Sequence, residues 1–384
     1  MTASRIPSVE GGIQPTILTA KGDLLTASAT STITNLPVGT DGQTLVANSS
    51  ATTGMSWAGP IYTAGKNFLI NGGFDIWQRG TSFATSSGYF ADRWTNYGTV
   101  SNITTSRQSS GAPVGSQYFC RHTSTAASSF ITSLMFLESS QTAPLLGQTV
   151  TFSMKVRANS TMTSAINVNV DKSSTVDAGG ASTWVNLYTS VVSNASLQTG
   201  GSGSSNWYTT TGTFTVPNDG SAVSLRINIS YQAAVASGST LDFANVQLEI
   251  GSVATSFSRA GGTLQGELAA CQRYYYRTTP NSGYSRFGLG QCSGTTAALA
   301  IIPFPVQMRI APSALEQTGT ASNYAVTNTT QGIVACSSVP TFDGASVTVA
   351  SVTFTVASGI AAGNVTQLLP NNNTAAYLGW SAEL

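Results

Sequence analysis

The residues able to do acid–base or metal chemistry are few, and they are badly spaced for it. His122 is the only histidine among 384 residues. That removes multi-histidine metal centres and leaves one imidazole for general-base work. It follows Cys120 by two positions, and i and i+2 share one face of a strand. "QYFCRHTS" therefore reads as a strand carrying a structural Cys–His pair rather than a catalytic dyad. Cys271, Cys292 and Cys336 have no CxxC spacing, so no zinc site is expected. Sugar-chain hydrolysis would need two convergent carboxylates. The chain has 15 acidic residues, and several stand in turn contexts (Asp41-Gly42, Asp219-Gly220, Asp343-Gly344), where Asp is the ordinary turn residue. No spaced pair stands out, so no catalytic residue is expected and the chain is read as a non-enzyme. "GLGQCSG" and "GGSGSS" do not join a strand to a helix, so they read as turns rather than dinucleotide fingerprints.

The elements that position these residues are strands. Only 8% of the chain is charged, against about 25% for an average soluble protein, while 41% is apolar. Its polar surface must then be made by Ser, Thr, Asn and Gln, which suit turns and sheet faces and fit helix interiors poorly. The expectation is an all-β protein. A net charge of +1, with no basic stripe, speaks against nucleic-acid binding. No apolar run reaches the ~18 residues of a membrane span, and "MTASRIPSVEGG" has no apolar signal core.

Residues 61–258 read as one β-sandwich. Its strand candidates are 149–158, 165–171, 184–192, 207–217, 222–232 and 241–251. In "VTFSMKV", Val150, Phe152, Met154 and Val156 point one way, and Thr151, Ser153 and Lys155 the other, which is period two with one wet face. "GGTLQGELAACQRYYYRT" gives a connecting helix over 259–278, with Leu264, Leu268, Cys271 and Tyr275 on one stripe. Tyr274, Tyr275 and Tyr276 then point in three directions, and core or subunit packing is their preferred role. Residues 279–384 return to strands as a C-terminal β domain, in which Pro303 and Pro305 mark an edge strand or a bend. Residues 1–15 read as an extended arm. The short apolar pairs that follow, up to residue 60, are too thin to bury a core alone, which implies that several copies wrap around one another.

Three stretches carry a resemblance. "GDLL…LPVGTDGQTL…TTGMSW" resembles the short β-repeat near the start of many bacteriophage fibre proteins. "NFLINGGFDIWQRGTSF…GYFADRW" and "NVQLEIGSVATSF…GELAACQRYYYR" resemble a domain common in phage tail-fibre and virion structural proteins. The strand order also resembles jelly-roll carbohydrate-binding modules, with an opening strand Asn71–Asp75 near a closing strand Asp242–Leu248. The resemblance implies a homotrimeric virion appendage, made in the host cytoplasm and attached to other virion proteins through residues 1–60. Its distal end, residues 279–384, would bind a host-surface glycan or protein. Trp77, Trp94, Arg79, Asp92 and Arg93 belong to the shared part and are assigned to the core. The receptor contacts are expected in the unshared part, at Tyr284, Arg286, Tyr324, Tyr377 and Trp380. The modules also imply a structural calcium between Asp75 and Asp242, helped by carbonyls near Asn71. The preferred alternative pairs these carboxylates with backbone amides or arginines, and no other cofactor is expected. Two other functions stay open: a head-fibre or decoration protein without a receptor, and a polysaccharide depolymerase.

Overall fold

The computed structural model describes residues 15–39, 43–58, 65–84, 87–98, 102–127, 132–200, 207–328, 330 and 332–384. The arm expected over residues 1–15 lies outside them save for Pro15, as do Asp41-Gly42 and most of "GGSGSS". The chain forms two compact units, Met1–Thr63 and Ala64–Leu384.

The first unit holds two hairpins, Leu24–Ala29 with Thr32–Leu36 and Thr44–Ala47 with Met55–Ala58. Asp23 organises the first. Its carboxylate accepts from the backbone N–H groups of Val38 (3.0 Å), Ala20 and Thr19 (both 2.9 Å). These bonds hold the carboxyl well below the usual carboxylate range. Among the described residues of this unit no hydrophobic side chain is buried, and Leu25 and Ile33 stand exposed.

The second unit is all-β with one helix of more than two turns. Two six-stranded antiparallel sheets form a jelly-roll-like sandwich. The first runs Val185–Val192, Ile166–Ser173, Ser224–Tyr231, Thr132–Leu137, Trp94–Tyr97, Gly88–Tyr89. The second runs Tyr208–Thr215, Thr149–Ala158, Thr240–Ile250, Phe119–Ser124, Ile103–Gln108, Ser82–Phe83. All six expected sandwich strands occur, and Val150, Phe152, Met154 and Val156 pack inward as their alternation requires. The opposite face of that strand is only partly wet: Thr151, Ser153 and Arg157 are buried under loops, while Lys155 stays half-exposed.

Two expectations about the start of this unit are corrected. Asn71–Asp75 is not a strand but a buried turn, with Asn71 (φ 59°) and Phe74 (φ 56°) in the left-handed region. Side chains replace the missing ladder. Asn71 donates to the carbonyls of Ile76 (2.8 Å) and Asp92 (3.0 Å), and its own carbonyl oxygen accepts from Ile76 N–H (3.0 Å). Gly72 is needed here, since a Cβ would lie 2.0 Å from the Val246 carbonyl oxygen. The helix is also shorter than expected, Leu264–Gln272, capped by the Thr263 hydroxyl. The three tyrosines follow it, and Tyr275–Thr278 is a strand paired with Leu378–Ser381. Glu267 explains the helix's position: its buried carboxylate accepts from the backbone N–H of Asn71 and of Gly261 (2.7 Å).

The C-terminal region builds a seven-stranded antiparallel sheet. It runs Ile333–Ala335, Tyr324–Thr327, Val365–Pro370, Gly288–Cys292, Ala297–Pro303, Val349–Thr355, Thr341–Ala345. Ala297–Pro303 is an interior strand rather than an edge, with Pro303 as its last residue, and the other expected alternative, a bend, follows at Pro305–Val306. One face of this sheet packs a second core around Trp380, Tyr324, Phe354 and Ile302. The chain end ties this region to the sandwich. Glu383 pairs with Arg93, whose guanidinium lies 3.5 Å from the Tyr274 ring centre, and Arg309 donates to the Ala382 carbonyl (2.7 Å).

Candidate functional site

The outer face of the second sheet carries a cleft of about 430 Å³. A break in strand alternation makes it. In Thr240–Ile250 the inward residues are Leu241 and Phe243, then Val246 and Leu248, so the phase slips by one at Asn245. The slip is a β-bulge opposite Ser153–Lys155, with Asn245 at φ 52°. It turns Asn245 outward, where its amide donates to the Val114 carbonyl (2.8 Å) and its oxygen accepts from the Ser116 hydroxyl (2.5 Å). That fixes one wall.

The loop 252–258 is the other wall, and two buried outward side chains pin it. Glu249 accepts from Thr255 N–H (2.8 Å) and the Thr255 hydroxyl (2.6 Å), while Gln247 accepts from Ser258 N–H (2.9 Å). Phe257, half-buried at the end of this loop, gives the cleft a ring beside Gly115. The floor is Ser153, Lys155, Thr209 and Asn245, with the Lys155 ammonium donating to the Thr209 hydroxyl at 2.5 Å. These groups offer neutral donors and acceptors, one cation and one aromatic ring.

Beside the cleft lies a row of charges whose carboxylates and Arg157 are buried, while Arg121 and Arg259 reach partly into solvent. Asp242 accepts two bonds from Arg121 (2.6 and 2.7 Å) and one from Arg157 (2.8 Å). The Arg157 guanidinium lies 4.3 Å from the Trp207 ring centre and 5.0 Å from that of Phe119. Asp75 pairs with Arg259 at 2.7 Å. The calcium expected between Asp75 and Asp242 does not fit these residues. Both carboxylates are already neutralised by guanidinium groups, whose charge would repel a divalent ion. Among the described residues no group of three metal-ligating side chains occurs either.

Of the five expected receptor contacts, two drop out on burial. Tyr324 and Trp380 are fully buried core residues. The Tyr324 hydroxyl donates to the Tyr377 carbonyl (2.8 Å), and Trp380 stacks on Tyr276 at 6.0 Å. Tyr377 is half-buried, and its ring packs under the Arg277 guanidinium at 3.4 Å. Tyr284 and Arg286 are exposed neighbours, and Arg286 donates to the Tyr284 carbonyl and to Gln367. The structure does not gather the five into one site.

Cys120 and His122 both face the sandwich core, as their shared face implies. Burial lowers the His122 imidazole to about 3 and pushes the Cys120 thiol well up. His122 meets the Ser133 hydroxyl at 3.2 Å, Ser133 donates to Asn96 (2.9 Å), and Asn96 donates to Thr105 (2.7 Å). This is a buried polar chain between the sheets. Asp92 is likewise enclosed and pushed up to about 6 by burial, partly offset by Arg79.

No protein-family model and no curated protein matches the chain. Solved structures similar to it include carbohydrate-binding modules, an endo-1,4-beta-D-xylanase and an α-L-arabinofuranosidase. A module from a study of CBM4 structure and function is 18% identical, covers 48% of this chain and 99% of its own, and has a TM-score of 0.30. TmCBM61, in complex with beta-1,4-galactotriose, is 12% identical over 48% of this chain and 99% of its own, with a TM-score of 0.30. The CBM22-1 xylan-binding domain of Paenibacillus barcinonensis Xyn10C is 12% identical over 50% and 99%, with a TM-score of 0.29. At these scores the likeness carries no weight.

Proposed function

We propose that the chain is a non-catalytic binding protein that takes a glycan in the cleft between residues 113–116 and 252–258. The cleft itself carries this reading. Its floor offers hydroxyl, amide and ammonium groups, and Phe257 offers a ring face, which together match a ligand with many neutral hydroxyls and apolar C–H faces. The state of the carboxylates supports the absence of catalysis. Beyond Asp75, Asp242, Glu249 and Glu267, Asp92 accepts from Gln78, Asp171 from Arg226 and Asp177 from Ser139. Glu138 accepts from Arg273, Glu316 from Tyr275, Asp219 from Ser221 and Asp343 from Ser351. With Glu383 on Arg93, each described carboxylate of this unit has a hydrogen-bond or ion-pair partner.

The chain acts, in this reading, as a phage fibre: a homotrimer attached to the virion through residues 1–60 that presents the cleft to the host surface. The first unit supports the oligomer. Among its described residues the hairpins bury no hydrophobic side chain, and further copies of the chain would give them a core. Weak glycan contacts repeated on several copies gain by multivalency. The test is competition. Purified full-length protein should block phage adsorption to host cells, and Lys155→Ala with Phe257→Ala should abolish the block. A folded protein that leaves adsorption unchanged would point to a structural virion component instead.

A further inference from the structure

The cleft of the sandwich carries an uncompensated charge. Among the residues that line it none is acidic, and one, Lys155, is a cation. Most lysines and arginines of the second unit are paired with a carboxylate. Of the rest, Arg107 and Arg277 lie on the rings of Tyr118 and Tyr377, Lys172 reaches Ser221, and Arg286 reaches Gln367. Lys155 has no carboxylate partner among the described residues. Its ammonium donates to the Thr209 hydroxyl, and since an ammonium has three N–H donors, two remain open to a ligand.

The neighbouring charges do not cancel it. Two residues on, along the same face of the strand, Arg157 shares Asp242 with Arg121, so two guanidinium groups stand against one carboxylate. Lys66 pairs with Glu249 at 3.9 Å, and Arg259 with Asp75 at 2.7 Å. Around the cleft, five cations therefore stand with three carboxylates, in a chain whose whole net charge is +1. A surplus of positive charge in a concave, partly desolvated site concentrates anions and strengthens each contact with them.

The register says where an anion would lie. Lys155 pairs with Thr209 on one neighbouring strand and with Ala244, next to the bulged Asn245, on the other. Three adjacent strands set Thr209 and Asn245 roughly 10 Å apart, with Lys155 between them. Phe257 stands at the Asn245 end, because its ring and the Asn245 amide both lie against Gly115. A sugar ring on Phe257 can reach the ammonium, one strand away, with a substituent.

We propose that the glycan taken by the cleft is acidic: one of its sugars places a carboxylate or a sulfate ester on the Lys155 ammonium and its ring face on Phe257. This rests on the glycan reading and names the chemical class of the ligand. A neutral sugar exchanges one set of neutral hydrogen bonds at the ammonium for another, whereas a monoanion adds a charge-assisted bond that a hydroxyl cannot match.

The test titrates the full chain with host-surface polysaccharide in three forms: untreated, carboxyl-reduced and desulfated. Wild type should bind the untreated polymer roughly tenfold more tightly than one of the treated forms, the worth of one charge-assisted hydrogen bond at a half-exposed site. The treatment that costs affinity tells carboxylate from sulfate. Lys155→Gln, with unchanged circular dichroism, should bind all three forms alike and weakly, and the wild-type preference should shrink as sodium chloride is raised. Equal binding of the three forms by wild type overturns the inference and leaves the glycan reading standing with a neutral ligand. A preference that survives intact in Lys155→Gln also overturns it, because the charge is then read elsewhere. A folded wild-type chain that binds none of the forms removes the glycan reading and this inference with it.

Discussion

Two outer sheet faces of the same folding unit contrast sharply. That of the second sandwich sheet is roofed. Asp242, Arg157, Gln247 and Glu249 point away from the core yet are buried, because Trp207 and the loops at 111–116 and 252–258 fold over them. That of the C-terminal sheet is bare, with Leu289, Ile301 and Val365 in the open and one charge among its strands. The difference lies in what each face asks of its cover. Buried polar groups must be hydrogen-bonded, so a face with many of them fixes loops in one geometry and leaves a defined cleft. A bare apolar face fixes nothing within its own chain and gains only when another surface arrives.

The contrast breaks most visibly at Asp242. Asp242→Ala would remove the carboxylate that Arg121 and Arg157 share and leave two like charges side by side on a buried face. The expected loss is roughly 3–5 kcal/mol in urea unfolding, enough to threaten the fold.

Acid is the next lever, and it acts inside the sandwich. His122 is held to about 3, below its unfolded value near 6.5, so the unfolded chain binds the extra proton between those limits. Its contribution is full above pH 6.5 and falls by up to about 1.4 kcal/mol per pH unit down to about pH 3. Asp92, raised to about 6, acts with the opposite sign between its ordinary range and pH 6. The imidazole's part is therefore read as the difference between wild type and His122→Gln, which should shrink steadily as pH drops from 7 to 4.

Glu249→Gln removes one anchor of the 252–258 loop. It should cost about 1–2 kcal/mol and raise amide exchange at Thr255 and Ser258 before any other loop. The smallest effect on folding is expected on the bare face: Leu289→Ser should shift the unfolding free energy by no more than about 0.5 kcal/mol in urea unfolding.

Much of the frame is legible in the residues. Alternation over Val150–Val156 places a strand and its inward face, and low charge with abundant Ser, Thr and Asn implies sheets. The cleft was harder to see, although one signal for it exists: the inward phase of Thr240–Ile250 changes between Phe243 and Val246, which marks the bulge at Asn245. What a bulged side chain then anchors depends on loops distant in sequence, and no local pattern gives that. Asn71–Asp75 reads as a strand because its residue types suit one. Asn71 instead satisfies the backbone with its own amide, and that becomes visible only once Ile76 and Asp92 are in place. The tyrosines after Gln272 continue a helical stripe on paper, but pairing with Leu378–Ser381, about a hundred residues later, takes them into a strand. Tyr324 and Trp380 looked like binding residues for the same reason: aromatic type does not distinguish a core ring from a surface one.

The central claim is that the cleft of the roofed face binds a glycan. The most direct measurement is a glycan-binding titration of the full chain, with host-surface polysaccharide as ligand, for wild type, Lys155→Ala with Phe257→Ala, and Leu289→Ser on the bare face. The account predicts that the cleft variant loses binding while Leu289→Ser keeps it. Full binding by a folded cleft variant would contradict it.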